Sequence, residues 1–284
     1  MTDGMRKAAE NGRERAAAAR DAMGDRLDAA REATGERVEA AKMAAGERVE
    51  AAKVAAGERV DAAKAAAVEL QQKVKPKLRG VIHEYSFPVS LVAGALLVYF
   101  ASGGRERLAL AIYAISLSAL LGTSALYHRV NWKRPSARAW MRRLDHSMIF
   151  LLIAGTVTPF ALLVVPGGLG TALLIAVWAG ALAGIFVELV WTSSPKWVSV
   201  AVYLAVGWIG ALAFPSIVSN AGLGAGALIA LGGVLYTIGA VVYARQRPDP
   251  RPAVFGYHEI FHVLVVAAAI AHFTAVAIYA GPAG

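Results

Sequence analysis

The 284-residue sequence contains no cysteine. Disulfides, thiolate-ligated zinc, iron–sulfur clusters and thiol nucleophiles are therefore excluded, although the absence does not identify a compartment. Carboxylates are scarce beyond residue 80, where Glu84, Glu106, Asp145, Glu188, Asp249 and Glu259 are all there are. There is no phosphate-cradling glycine loop, nucleotide fingerprint or selectivity-filter repeat. No apolar stretch follows the N-terminus, so a signal peptide is not expected. What the chain has in excess is apolar side chain. The fraction is 57% without glycine, whereas a soluble domain reaches about 45–50% with glycine included. Since the first eighty residues are highly charged, the remainder is far more apolar than this average. An integral membrane protein is expected, not two soluble domains.

The net charge of +9 is not a nucleic-acid signature. Residues 1–80 carry 17 Lys/Arg against 14 Asp/Glu, nearly balanced. The other basic residues fall in short segments between apolar runs, where polar membrane headgroups are the simpler partner. Gly24, Gly35, Gly46 and Gly57 recur every eleven residues within near copies of AAGERVEAAKV. Eleven residues fit three helical turns with a slight right-handed drift. Val38, Val49 and Val60 share one thin stripe, and Glu, Arg and Lys cover the rest. A cytoplasmic helical extension over residues 1–76 is expected. Three roles remain open for it: a partly helical solvated tail, a self-associating coiled coil, or a helix on the membrane surface. No chemistry is assigned to it.

Beyond Pro76 the apolar runs predict seven spans, near 86–103, 108–127, 145–165, 171–190, 197–214, 222–243 and 257–280. Most are long enough to cross about 30 Å of hydrocarbon as helix. The fourth and fifth are separated only by the turn WTSSPK, and PSIVSNAG joins the fifth to the sixth. Charge tests the count independently. Alternate connections, beginning with the segment before the first span, hold fourteen basic residues, whereas the opposite side holds only Arg105 and Arg107. The positive-inside rule then places the N-terminus inside and the C-terminus outside, which requires an odd number of spans. The expected fold is all-α: a seven-helix membrane bundle over residues 77–284, preceded by the charged helical extension.

Ionisable groups in spans are costly and tend to face the bundle interior. This topology brings His128, Asp145, His258 and His262 to the inner leaflet from three spans. His258 and His262 are i and i+4 on one helix face, as are Ser124 and His128. Three histidines on two helices with a carboxylate nearby match the commonest catalytic zinc pattern, three protein ligands and one open position. Imidazole and carboxylate donors also disfavour copper(I). His258 to His262 reads HExxH, the metalloprotease motif, but a match of three fixed residues is weak, and Glu259 is not assigned as the base. Asp145 is the better acid/base candidate; helix capping within RRLDHS is its bland alternative. His83, His146 and His272 are placed outside the ligand set. Glu188 is read as structural, pairing with an inner-side Arg or facing the cavity.

The segments SALYH (Ser124 to His128), RRLDHSMIFLLIAGTVTPF (Arg142 to Phe160) and FGYHEIFH (Phe255 to His262) resemble the bacterial hemolysin III family. This family lies within the progestin and adipoQ receptor superfamily, which includes the adiponectin receptors. The resemblance covers residues 77–280 and leaves the repeat outside. It implies a seven-helix bundle with an inner zinc site: His128, His258 and His262 as ligands, Asp145 holding the zinc water, and Ser124 beside it. Resemblance to alkaline ceramidases in site design implies hydrolysis of a lipid amide, with a ceramide-like substrate entering laterally from the bacterial inner membrane. A receptor-like protein with structural zinc is the alternative, and a cytolytic channel has little physical support in the chain.

Overall fold

The computed structural model describes residues 3–73, 76–191 and 196–281. The expected boundary at 76/77 adjoins residues 74 and 75, most of the WTSSPK turn is residues 192–195, and the final three residues are 282–284; these lie outside the described residues. The chain divides into two compact units, residues 1–73 and 74–284.

The first unit contains one helix, α1 (Asp3–Lys73), of 71 residues. At 1.5 Å per residue it is about 105 Å long. Its valine stripe is not buried: Val38, Val49 and Val60 are all exposed. Local ion pairs join Glu39 to Lys42 and Glu50 to Lys53, each one helical turn apart.

The second unit is all-α apart from one isolated bridge between Arg251 and Phe255. Its helices are α2 (Val81–Tyr99), α3 (Gly104–Arg129), α4 (Pro135–Pro159), α5 (Gly167–Val190), α6 (Lys196–Ile209), α7 (Phe214–Arg245) and α8 (Tyr257–Tyr279). A π-helical turn, Phe160–Val164, extends α4 just past Pro159. Among the described residues, six helical stretches are long and apolar enough to cross a bilayer. One of them, Trp197–Arg245, has 49 residues, about 74 Å of helix and more than twice the hydrocarbon thickness. It does not run straight. Gly222 has φ 88° and ψ 170°, which breaks the helix. Val200, Tyr203 and Val206 of α6 cluster with Ala240, Tyr243 and Ala244 from the far end of α7, so the chain doubles back between them.

Several expected boundaries are corrected. The first helix spans 81–99 instead of 86–103, because a turn ending at Gly80 (φ 79°) starts it directly. The polar pair His83–Glu84 interrupts the apolar run without interrupting the helix. The expected loop over residues 215–222 is helical up to Ala221. Pro215 is accommodated because it falls at the start of α7, where no N–H is needed. A Cβ at Gly180, Gly184, Gly210 or Gly224 would press on a side chain of a neighbouring helical segment, whereas one at Gly207 or Gly222 would meet nothing within 4 Å.

Large apolar side chains such as Val89, Ile115, Phe186 and Leu231 are exposed around the bundle, the surface expected of a protein solvated by lipid. Inside, one apolar cluster joins α2, α3, α4, α5, α7 and α8 around Leu110, Tyr113, Phe160 and Val276, and a second joins α4, α5, α6 and α7 around Phe150 and Val177. Buried His83, Ser124, His128, Glu188, Glu259 and His262 instead come from the helix ends that the antiparallel order gathers on one side. This concentration of polar groups marks the site.

Candidate metal centre

The histidines and Ser124 are positioned by helix ends, and Asp145 by the interior of a helix. Ser124 and His128 occupy the last turns of α3, Asp145 lies in α4, and His258 and His262 occupy the first two turns of α8. One nitrogen from each of His128, His258 and His262 lies within 4.8 Å of the others. The Nε2 atoms of His128 and His258 are 3.2 Å apart. Two imidazoles on one tetrahedral zinc, with Zn–N of about 2.0–2.1 Å, would stand about 3.3–3.4 Å apart. The His128–His258 spacing and the all-imidazole chemistry therefore suit a single tetrahedral divalent ion, with His262 close enough to be the third donor. His128 and His262 are buried, and His258 is half-buried, leaving the cluster one less enclosed side.

Asp145 Oδ2 is 3.7 Å from His128 Nε2. The Ser124 hydroxyl lies within hydrogen-bonding reach of the same carboxylate. A carboxylate here can take and return a proton beside the ion, or steady a ligand imidazole. The capping alternative for Asp145 is overturned: α4 begins at Pro135, so Asp145 stands well inside the helix.

Glu259, the glutamate of HExxH, is not available as a metalloprotease base. It is buried, pairs through Oε1 with Arg79 Nε, and accepts through Oε2 the backbone N–H of Gly256 at 2.7 Å. Both oxygens serve to anchor the start of α8. The segment before α2 is tied to the same region by Lys77 N–H donating to Ala253 O and Leu78 N–H to Val254 O, both at 3.1 Å. Gly80 lets this turn approach α3, since a Cβ there would run into the side chain of His128.

The expectation for Glu188 is corrected in its partner. Among the described residues, a tyrosine and a histidine contact it instead of an arginine. Tyr203 donates to its Oε1 at 3.1 Å, and His146 Nδ1 lies 3.4 Å from its Oε2. His146 thus points away from the histidine cluster, as expected. His272 is also remote, with Nε2 3.2 Å from the carbonyl of Ile229. His83, expected to precede the first span, lies inside α2. It is buried, and its ring lies flat against His262. The available signal was helical: had α2 been started at Val81, His83 would have fallen at the depth of the other histidines.

The profile of the family described as haemolysin-III related matches residues 71–273. The hemolysin-3 homolog of Bacillus subtilis (strain 168) is 30% identical over 202 residues, covering 70% of this chain and 91% of that protein. Hemolysin-3 of Bacillus cereus is 30% identical over 217 residues, covering 75% and 95%. The human monocyte to macrophage differentiation factor is 27% identical over 197 residues, covering 68% and 79%.

Proposed function

The chain belongs to the haemolysin-III-related family of multi-pass membrane proteins, and we propose that its three-histidine centre holds zinc and hydrolyses a lipid amide of the ceramide type. The observation that carries this reading is the convergence of His128, His258 and His262 on one point with the Asp145 carboxylate alongside. Zinc bound there would supply Lewis acidity, polarising an amide carbonyl and lowering the pKa of a water. The protein's own part is positioning and proton transfer. Asp145 Oδ2 accepts the proton of the attacking water and delivers it to the amide nitrogen, so that acid and amine leave as products. Ser124 orients that carboxylate.

The lipid assignment has its own support. An apolar groove of about 610 Å³ runs between α2 and α8, from Leu78 and Phe255 past Glu259, Val263 and Val89 to Phe273 and Thr274, so it passes sequence neighbours of His258 and His262 without being lined by the histidines themselves. Its length along the helices suits an acyl chain. The charge bias of the connections supports seven crossings of a bacterial inner membrane, with the N-terminus cytoplasmic and the metal centre in the inner leaflet.

The test uses the full chain in lipid nanodiscs, assayed for fatty-acid release from a panel of ceramides with and without zinc. Release is expected only with zinc. His262→Ala is expected to lose both zinc and turnover, whereas Asp145→Asn keeps zinc and loses turnover by about a hundredfold or more, the usual weight of a positioned acid/base. Full hydrolysis by metal-free His262→Ala would overturn the mechanism. Zinc binding without turnover in any lipid amide would make the metal structural and the protein non-enzymatic.

A further inference from the structure

His83 is 2% exposed and His262 likewise 2%. Their rings are 4.0 Å apart between centroids and 6° from parallel. Neither ring nitrogen of His83 makes a hydrogen bond of ordinary geometry, nor does Nδ1 of His262. Two consequences follow. An imidazole binds a metal in its own plane, and two nearly parallel planes separated by a ring stack share no point where one ion could lie in both. His83 is therefore not a fourth ligand. The second concerns His262. A ligand histidine is ordinarily held in orientation by a hydrogen bond from its other nitrogen, and losing that bond weakens metal binding. His262 lacks it. The torsion that turns an imidazole about its Cβ–Cγ bond is broad, so something else must hold the plane.

We propose that His83 is a positioning residue of the metal centre, its ring plane stacked on His262 and fixing that ligand's orientation in place of the absent hydrogen bond. The proposal rests on the reading that the three histidines bind a divalent metal. The surrounding structure is built to keep the stack closed. His83 stands in the first turn of α2, and that turn is fastened to the start of α8 by the Arg79–Glu259 pair and by the backbone bonds of Lys77 and Leu78 to residues 253 and 254. The rings of His128 and His258 also adjoin His262, tilted to it, with centroids at 5.0 and 4.6 Å. His262 is thus in ring contact with both the ligand pair and His83. A flat face is what the position requires, not a proton.

The experiment measures zinc affinity of the detergent-purified full chain by chelator competition, together with the visible spectrum of the cobalt(II) form, which reports coordination geometry independently of turnover. Wild type, His262→Ala, His83→Ala and His83→Phe are compared. His83→Ala is expected to weaken zinc binding about tenfold or more, within the roughly 10–100-fold range of outer-partner losses, and to alter the cobalt bands. His83→Phe, which restores a flat aromatic face without nitrogens, is expected to stay within about threefold of wild type. If the alanine variant does not fold, His83→Asn takes its place, polar but without a ring. Wild-type affinity and spectrum in His83→Ala or His83→Asn would overturn the proposal, as would His83→Phe binding as weakly as His83→Ala. A wild-type chain that bound neither zinc nor cobalt would instead overturn the metal centre itself.

Discussion

Along α1, a Cβ added at Gly24, Gly35, Gly46 or Gly57 meets nothing within 4 Å, whereas in the bundle a Cβ at Gly184 runs into the ring of Phe150 and one at Gly155 into the side chain of Ser116. Ion pairs divide in the same way. Glu39–Lys42 and Glu50–Lys53 of α1 are about two-thirds exposed on both partners, while Glu259, paired with Arg79, is 3% exposed. The same residue types thus have opposite meanings in the two units. In α1 they act only through local helix propensity and solvent-screened charge, so each is worth little. In the bundle they are determined by what lies across the interface, so each is costly to change. A repeat in sequence says how α1 is built; a lack of repetition is what allows the bundle to make one site.

The largest expected effect tests the ion pairs. Arg79→Ala leaves the Glu259 carboxylate buried without its cation. Breaking a fully buried pair costs about 3–5 kcal/mol; because Arg79 is 22% exposed, about 2–3 kcal/mol is expected here. Thermal unfolding of the detergent-solubilised chain should show a clear fall in midpoint, and Arg79→Ala combined with Glu259→Gln should recover part of it. Lys42→Ala in α1 should leave that midpoint unchanged. An equal response to the two single substitutions would dissolve the contrast. Gly184→Ala comes next. The added methyl group must displace Phe150, which is 1% exposed, and overpacking of this kind costs about 1–3 kcal/mol. Phe150→Leu in the same chain should relieve it, since the collision is with the ring.

Much of the centre was legible in the sequence because helix period and span order are both one-dimensional. The i,i+4 pairs Ser124/His128 and His258/His262, and the alternation of basic connections, fix which groups share a face and a depth. What escaped depends on rotation and on exact helix starts. His83 was placed before the first span because Glu84 beside it ends the apolar run, yet α2 continues through both. Asp145 looked like a cap because RRLDHS precedes a long apolar stretch, but residues 135–144 are already helix, so α4 starts well before its hydrophobic part. The Glu188–His146–Tyr203 contacts join three helices, and no linear pattern reports which faces of α4, α5 and α6 meet. PSIVSNAG is expected to make the reversal as a loop, but within it only Gly222 departs from helical φ and ψ.

The smallest effect, and the one that isolates α1, comes from replacing Gly35 and Gly46 by alanine together. Each glycine lowers helix stability by about 0.8–1 kcal/mol relative to alanine, and neither side chain would meet a neighbour. Amide hydrogen exchange on the full chain separates the two units residue by residue. Protection along the central part of α1 should rise severalfold, because opening there is governed by local helix formation, while amides of α3 and α8 exchange as before. If exchange in α1 did not slow, its helix would be held by something other than its own propensity, and a partner surface on the Val38, Val49 and Val60 stripe would be the first place to look. Sedimentation of the same variant distinguishes the cases: a self-associating stripe predicts a change in oligomeric state as the helix stiffens, whereas a solvated helix predicts none.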